Sequence, residues 1–230
     1  MAYAASRTSH GFELVGNLMD VPDNGKEYEM TASLALKKGD MVVQTSGKVA
    51  KAAAAATNVL GVCAEGKTAS ATAGTKILVY DNPFNIYRGT FVDHQDLTAT
   101  AGTTTTIVCQ LAIHDTDDDP NGTLLYVYAG TNKGAVRTVT DYDHASDTLT
   151  FLPMPLACDT TTKFILLGEC DDAGTSVVNV GTPGVNLKDE NRIDANAATD
   201  AVDGPLAAMS IYPEDLMMDV VIIKHLYNSR

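Results

Sequence analysis

The chain of 230 residues carries 16 Lys and Arg against 29 Asp and Glu, a formal net charge of −13 with a pI of about 4.6. Binding to nucleic-acid phosphates needs clustered cations, and the only adjacent basic pair here is Lys37-Lys38, so composition argues against direct contact with DNA or RNA. Hydrophobic residues make up 45% but aromatics only 6%, with no Trp and much Thr, Ala, Val and Gly, which suits thin β-sheets rather than a bulky aromatic core.

Residues 1–30 mix apolar Phe12, Leu14, Val15 and Leu18 with the turn formers Gly11, Gly16, Pro22, Asp23, Asn24 and Gly25. They are expected as an extended N-terminal arm, which packs either on its own domain or on a partner. The partner reading makes Tyr3, Phe12, Leu14 and Leu18 the candidate intermolecular contacts.

Short apolar runs divided by Gly, Asn, Asp or Ser then predict strands over Met41–Gln44, Lys48–Lys51, Val59–Ala64, Lys76–Tyr80 and Ile86–Phe91. Residues 31–92 form a first β-unit on this reading. Ala52–Ala56 is too short to hold a helix alone. Residues 93–121 read as a polar insertion with one short strand, Ile107–Leu111, and an acidic loop, His114–Pro120.

A second β-unit spans 122–185, with strands predicted over Thr123–Tyr128, Ala135–Thr140, Thr148–Leu152, Lys163–Glu169 and Ser176–Val180. The last part, 186–230, reads as a long polar loop, Asn186–Pro205, followed by strands at Ala207–Tyr212 and Asp219–Leu226. The expected fold class is mainly β: a small antiparallel barrel or sandwich body. A three-strand unit at 39–63 is echoed more loosely by Gly122–Tyr128, Gly134–Arg137 and Phe164–Cys170, which suggests an internal duplication.

Motifs for chemistry are sparse. Cys63, Cys109, Cys158 and Cys170 have no CxxC spacing and sit in or beside apolar runs, so buried reduced thiols are expected and a zinc site is not. Asp115, Asp117 and Asp119 alternate like a calcium loop, but Pro120 and the missing terminal Glu break the pattern. Asp93-His94 and Asp143-His144 lack any Gly-x-Ser-x-Gly elbow to supply a nucleophile. Gly130–Gly134 lacks the Lys-Ser/Thr of a phosphate loop and falls between two strands, where a hairpin turn is expected. No catalytic, cofactor or metal site is predicted. The N-terminus has no apolar signal core and no apolar run is long enough to span a bilayer, so a reducing cytoplasm is the expected place of synthesis.

Lys38-Gly39-Asp40 before a strand, Gly47-Lys48-Val49 opening the next, and Val59-Leu60-Gly61-Val62 together resemble the capsid decoration, or cement, proteins of tailed bacteriophages. The resemblance covers residues 34–80 and, more loosely, 122–180. It implies a structural virion protein without a cofactor. It further implies binding to the outside of an expanded head, grouping as a homotrimer, and bridging of neighbouring major capsid protein subunits. Another phage part, such as a tail tube or minor capsid protein, would share the same β-rich character. A carbohydrate-binding β-module would show aromatic stacking platforms, which the absence of Trp disfavours, and a hydrolase with an unrecognised site is not excluded by fold.

Overall fold

The computed structural model describes residues 11–53, 56, 58–69, 74–92, 94–110, 117, 118, 120–167, 183–185, 187–194 and 204–223. The fold is mainly β, built from antiparallel sheets in a sandwich-like body. Its only helical element among these residues is a 3-10 turn at His144–Ser146.

The chain path alternates between one central sheet and two modules. Strand β1 (Glu13–Asn17) belongs to the central sheet. The first module follows, with β2 (Lys26–Glu29), β3 (Met41–Thr45), β4 (Lys48–Lys51), β5 (Val59–Cys63) and β6 (Lys76–Tyr80). Strand β7 (Asn85–Val92) returns to the central sheet. The second module then holds β8 (His94–Thr98), β9 (Ala101–Gly102), β10 (Thr106–Val108), β11 (Leu124–Ala129), β12 (Val136–Asp143), β13 (Thr148–Phe151) and β14 (Lys163–Leu167). The central sheet is completed by β15 (Pro183–Val185), β16 (Leu187–Asp189), β17 (Arg192–Asp194), β18 (Leu206–Tyr212) and β19 (Met217–Ile222).

The central order is β15-β18-β19-β7-β17-β16, with β1 also on β7; only the β17–β7 pairing is parallel. The first module runs β2-β6-β5-β3-β4, and one bridge between Met30 and Val49 links its outer parts. The second runs β8-β14-β11-β12-β13-β10-β9, so its two edges come from one stretch of chain, 94–102. Among the described residues neither sheet closes into a barrel.

Three cores result. Tyr28, Leu36, Val42, Leu60, Cys63 and Ile77 fill the first module. Ile107, Leu125, Val127, Tyr142, Leu149 and Phe164 fill the second. The third is shared: Met41, Val59 and Val62 from the first module and Ile165 and Leu167 from the second meet Tyr87, Leu206, Met218 and Val220 of the central sheet. Strands β5 and β14 therefore bury both faces, which is why their sequences, Val-Leu-Gly-Val-Cys and Lys-Phe-Ile-Leu-Leu, are nearly continuous apolar runs instead of alternating ones.

The Gly39-Asp40 word is a turn lock. Asp40 is fully buried; its Oδ2 accepts from the Lys37 amide at 2.8 Å, and its own amide donates to the Lys37 carbonyl at 3.1 Å. Gly39 supplies the left-handed φ of 91° that the turn requires. Its amide donates to the Cys63 carbonyl, and the Cys63 amide donates back to the Asp40 carbonyl, both at 2.9 Å, so the turn is stitched to the end of β5.

Several expectations are corrected. Residues 13–17 and 26–29, expected as part of an extended N-terminal arm that packs on its own domain or on a partner, are strands of two different sheets of this chain, paired to β7 and β6. Strand β8 lies in the segment read as a polar insertion; His-Gln-Asp-Leu-Thr has little apolar signal and is held by pairing along β14. Strands β16 and β17 lie in the predicted loop 186–205. Each offers one buried apolar residue, Leu187 or Ile193; the two pair with each other, and β17 joins the pair to the sheet through β7. Strand β7 belongs to the central sheet rather than to the unit drawn over 31–92, and β15 likewise leaves the unit drawn over 122–185. The strand predicted at Ser176–Val180 falls outside the described residues.

Candidate functional site

The most exposed apolar group near the N-terminal side is the turn after β1 together with the β6–β7 connection. Leu18, Met19, Val21 and Phe84 are 50%, 63%, 51% and 46% exposed. Exposed leucines occur singly on any protein, but a contiguous apolar group marks an interaction surface. Hydrogen bonds join the two segments that carry it. The Leu18 amide donates to the Phe84 carbonyl at 2.8 Å, and the Met19 amide to Asn17 Oδ1 at 2.8 Å. The Phe84 amide donates to Asn82 Oδ1 at 3.0 Å.

Beneath this surface a polar network fixes the platform. Asp23 Oδ1 accepts from the Gly25 amide at 2.8 Å, and Oδ2 accepts from Asn82 N at 3.2 Å and from Asn85 Nδ2 at 2.6 Å. Asn85, almost fully buried, accepts from Asn17 Nδ2 at 2.9 Å and donates to the Tyr87 hydroxyl at 3.0 Å. That hydroxyl donates to the Tyr80 carbonyl at 2.8 Å, and burial pushes it well above the ordinary phenol range. A satisfied buried network of this kind holds one loop geometry. An open cleft of about 310 Å³, walled by Leu14, Val15, Val21 and Pro22, runs along the platform.

The four predicted contact residues separate in the structure. Phe12 is buried, its ring packed over Gly89 in the shared core, so it anchors the segment to its own chain. Leu14 is half-buried against that core, Leu18 is exposed on the platform, and Tyr3 lies outside the described residues. Sequence reading missed Met19, Val21 and Phe84. The signal available was three apolar residues in the turn-like run Leu18-Met19-Asp20-Val21-Pro22.

The remaining candidates divide between described and undescribed residues. Asp143 caps the 3-10 turn, accepting from Ala145 N at 2.9 Å and from Ser146 Oγ at 2.8 Å; the Ser146 bond leads the causes that lower its pKa. The His144 amide donates to Asp117 Oδ1 at 2.8 Å, so this pair shapes a loop. His94 stands in β8 opposite Leu167, while Asp93 lies outside the described residues, as do His10, His114, His225, Asp115 and Asp119. Gly130–Gly134 is the turn between β11 and β12, as the sequence predicts.

Cys63, Cys109 and Cys158 are free and buried; Cys170 lies outside the described residues. Burial pushes the Cys63 and Cys109 thiols up to about 12, the opposite of what a nucleophilic thiolate needs. Among the described residues no group of three or more His, Cys, Asp and Glu is placed to hold a metal ion, and no helix is long and apolar enough to cross a membrane. Comparison with family models, curated proteins and solved structures finds no match to this chain.

Proposed function

We propose that this chain is a structural virion protein that binds the outer surface of an expanded phage capsid and stabilises the head by bridging major capsid protein subunits. The observation that carries the reading is the Leu18, Met19, Val21 and Phe84 platform: apolar anchors on a hydrogen-bonded base, presented by a body whose three described cysteines are buried. Anchors already held in their binding geometry lose little freedom on docking. On a symmetric shell, many modest contacts sum to large avidity, and a protein that binds only the assembled shell stabilises it by mass action. The charge of −13 suits a protein outside the shell, away from packaged DNA.

The test is to strip heads of this protein and add it back. Wild type is expected to saturate at a fixed number of copies per shell and to restore resistance to heat. Leu18→Asp combined with Phe84→Asp should weaken affinity for the shell at least about tenfold, a total loss of about 1.4 kcal/mol or more. Full occupancy by the double variant, or bare shells as heat-resistant as decorated ones, would overturn the reading.

A further inference from the structure

Two Asn-Gly steps occur in the chain, Asn24-Gly25 and Asn121-Gly122, and the fold treats them differently. The first lies in the turn that leads into β2, within the polar network under the platform. Gly25 has a φ of 73°, and a Cβ there would lie 3.0 Å from Leu78 Cγ, so the turn requires glycine. The same lack of a side chain leaves the Gly25 amide nitrogen open to approach by its neighbour. Asn24 is exposed, and among the described residues nothing hydrogen-bonds its side chain, so its amide carbon is free to swing toward that nitrogen. The Gly25 N–H points at Asp23 Oδ1, 2.8 Å away, which puts a carboxylate within reach of the proton that must leave. Asn121 is held instead. Its Nδ2 donates to Asp118 Oδ1 at 2.7 Å, its Oδ1 is buried, and its backbone amide donates to the Asp118 carbonyl at 3.0 Å. The Gly122 N–H donates at 2.8 Å to the Val139 carbonyl, an acceptor that is no base.

We propose that Asn24 is a site of self-modification, at which the folded chain converts this asparagine to aspartate and isoaspartate without an enzyme. The Gly25 nitrogen attacks Asn24 Cγ, a step favoured because both groups are held in one turn. The N–Cγ bond forms, the Gly25 proton passes by way of Asp23 to the departing amide, and ammonia leaves. The product is a five-membered succinimide. Water then opens the ring at one of its two carbonyls. Opening at the side-chain carbonyl leaves aspartate; opening at the main-chain carbonyl leaves isoaspartate, whose backbone is one carbon longer. One amide and one water thus become one carboxyl group and one ammonia, with no oxidant or reductant. Either product adds a negative charge beside Asp23. Isoaspartate also moves the Gly25 amide away from Asp23, whose other oxygen holds the Asn82 amide at 3.2 Å and the Asn85 side chain at 2.6 Å. The modification therefore loosens the turn that carries Phe84, whatever docks there.

Peptide mass mapping of the full chain, held folded at mildly alkaline pH, tests it. The peptide containing Asn24 is expected to acquire the mass change of an amide turned into an acid, preceded by a species that has lost ammonia. It should do so at least about tenfold faster than the Asn121 peptide of the same sample. In denaturant the two rates should converge, because the fold no longer holds Asn121. Asn24→Gln, at an exposed position, would need a six-membered ring and should abolish the change. Hydrogen exchange at the Asn82 amide should quicken in the separated isoaspartate form. An unchanged Asn24 peptide, equal rates at the two sites in the folded chain, or a rate ratio that persists in denaturant would overturn the proposal, and equal Asn82 exchange before and after modification would overturn its effect on the turn.

Discussion

At the scale of single residues, the most informative word of the chain is a set of backbone constraints. Gly39 takes a φ of 91° in the turn before β3. Gly61 answers a different need. A Cβ built on it would lie 2.0 Å from the Tyr80 carbonyl oxygen, because the backbone at the end of β6 lies against Gly61 beside the β5–β6 pairing. That oxygen also accepts the Tyr87 hydroxyl, which belongs to the network under the exposed platform. Gly61→Ala must therefore separate two backbones, since no flexible side chain can give way. The expected cost is about 3 kcal/mol, the upper part of the usual range for overpacking. Denaturant unfolding checks it, and a loss below about 1 kcal/mol would show that the strands separate easily at this point.

At the scale of elements, the suggested duplication has a structural counterpart. In the first module β3 pairs with β4 on one side and β5 on the other; in the second, β11 pairs with β12 and β14 in the same arrangement, all antiparallel. The face usage matches too. Val42 and Leu60 point to the first module's own core while Met41 and Val59 point to the shared one; Leu125 and Phe164 repeat the first role and Leu124 and Ile165 the second. The longer spacing in the second copy is explained by β13, which lies between β12 and β14 in sequence and pairs outward with β12 and β10. These strands were legible because burial on two faces leaves a dense apolar run. Strands β8, β16 and β17 were not, because their own residues are mostly polar and because β14, which holds β8, and β7, which holds the β16–β17 pair, are distant in sequence. For the same reason the exposed platform was half legible: Leu18 stood in the chain segment already under suspicion, whereas Phe84 joins it only through a turn more than sixty residues away.

One tie between elements has a pH signature. Lys51 on β4 reaches Glu190, in the turn between β16 and β17, at 2.5 Å, and lies 3.7 Å from Asp40. The Glu190 hydrogen bond is the main cause that holds the Lys51 pKa above its ordinary 10.5, ahead of an opposing desolvation and the attraction of Asp40. A raised folded-state pKa means that the contribution is complete below the unfolded lysine value and is lost as the pH climbs through the folded one. The pair is partly exposed, with side chains 34% and 25% accessible, so its worth is discounted to about 1 kcal/mol. Lys51→Met should lower stability by about that amount at neutral pH and flatten the decline above the ordinary lysine range. Chemical denaturation at neutral and strongly alkaline pH gives the comparison. An equal alkaline decline in wild type and variant would remove Lys51 as its source.

At the scale of the whole molecule, the chain visits the central sheet three times and leaves it twice, so each module is tied to that sheet at both ends. The shared core then decides whether damage in a module stays local. Neighbouring residues on β14 can answer this, because Phe164 faces the second module's core and Ile165 faces the shared one. Both are fully buried, and truncating either to Ala should cost about 3 to 4 kcal/mol through lost burial and the cavity left behind. The two variants should differ in where the weakness appears. Phe164→Ala loosens the ladders among β10 to β14 and spares β18, β19 and β7. Ile165→Ala removes packing beneath Met218, Val220 and Tyr87, so hydrogen exchange should quicken in the central sheet as well as in β14. If the two variants gave the same exchange map, the three cores would unfold as one unit and the modules would have no separate stability. If Ile165→Ala left the central sheet fully protected, the shared core would not be what couples the modules to it, and the exposed apolar platform, seated on β7's entry into that sheet, would be independent of the second module.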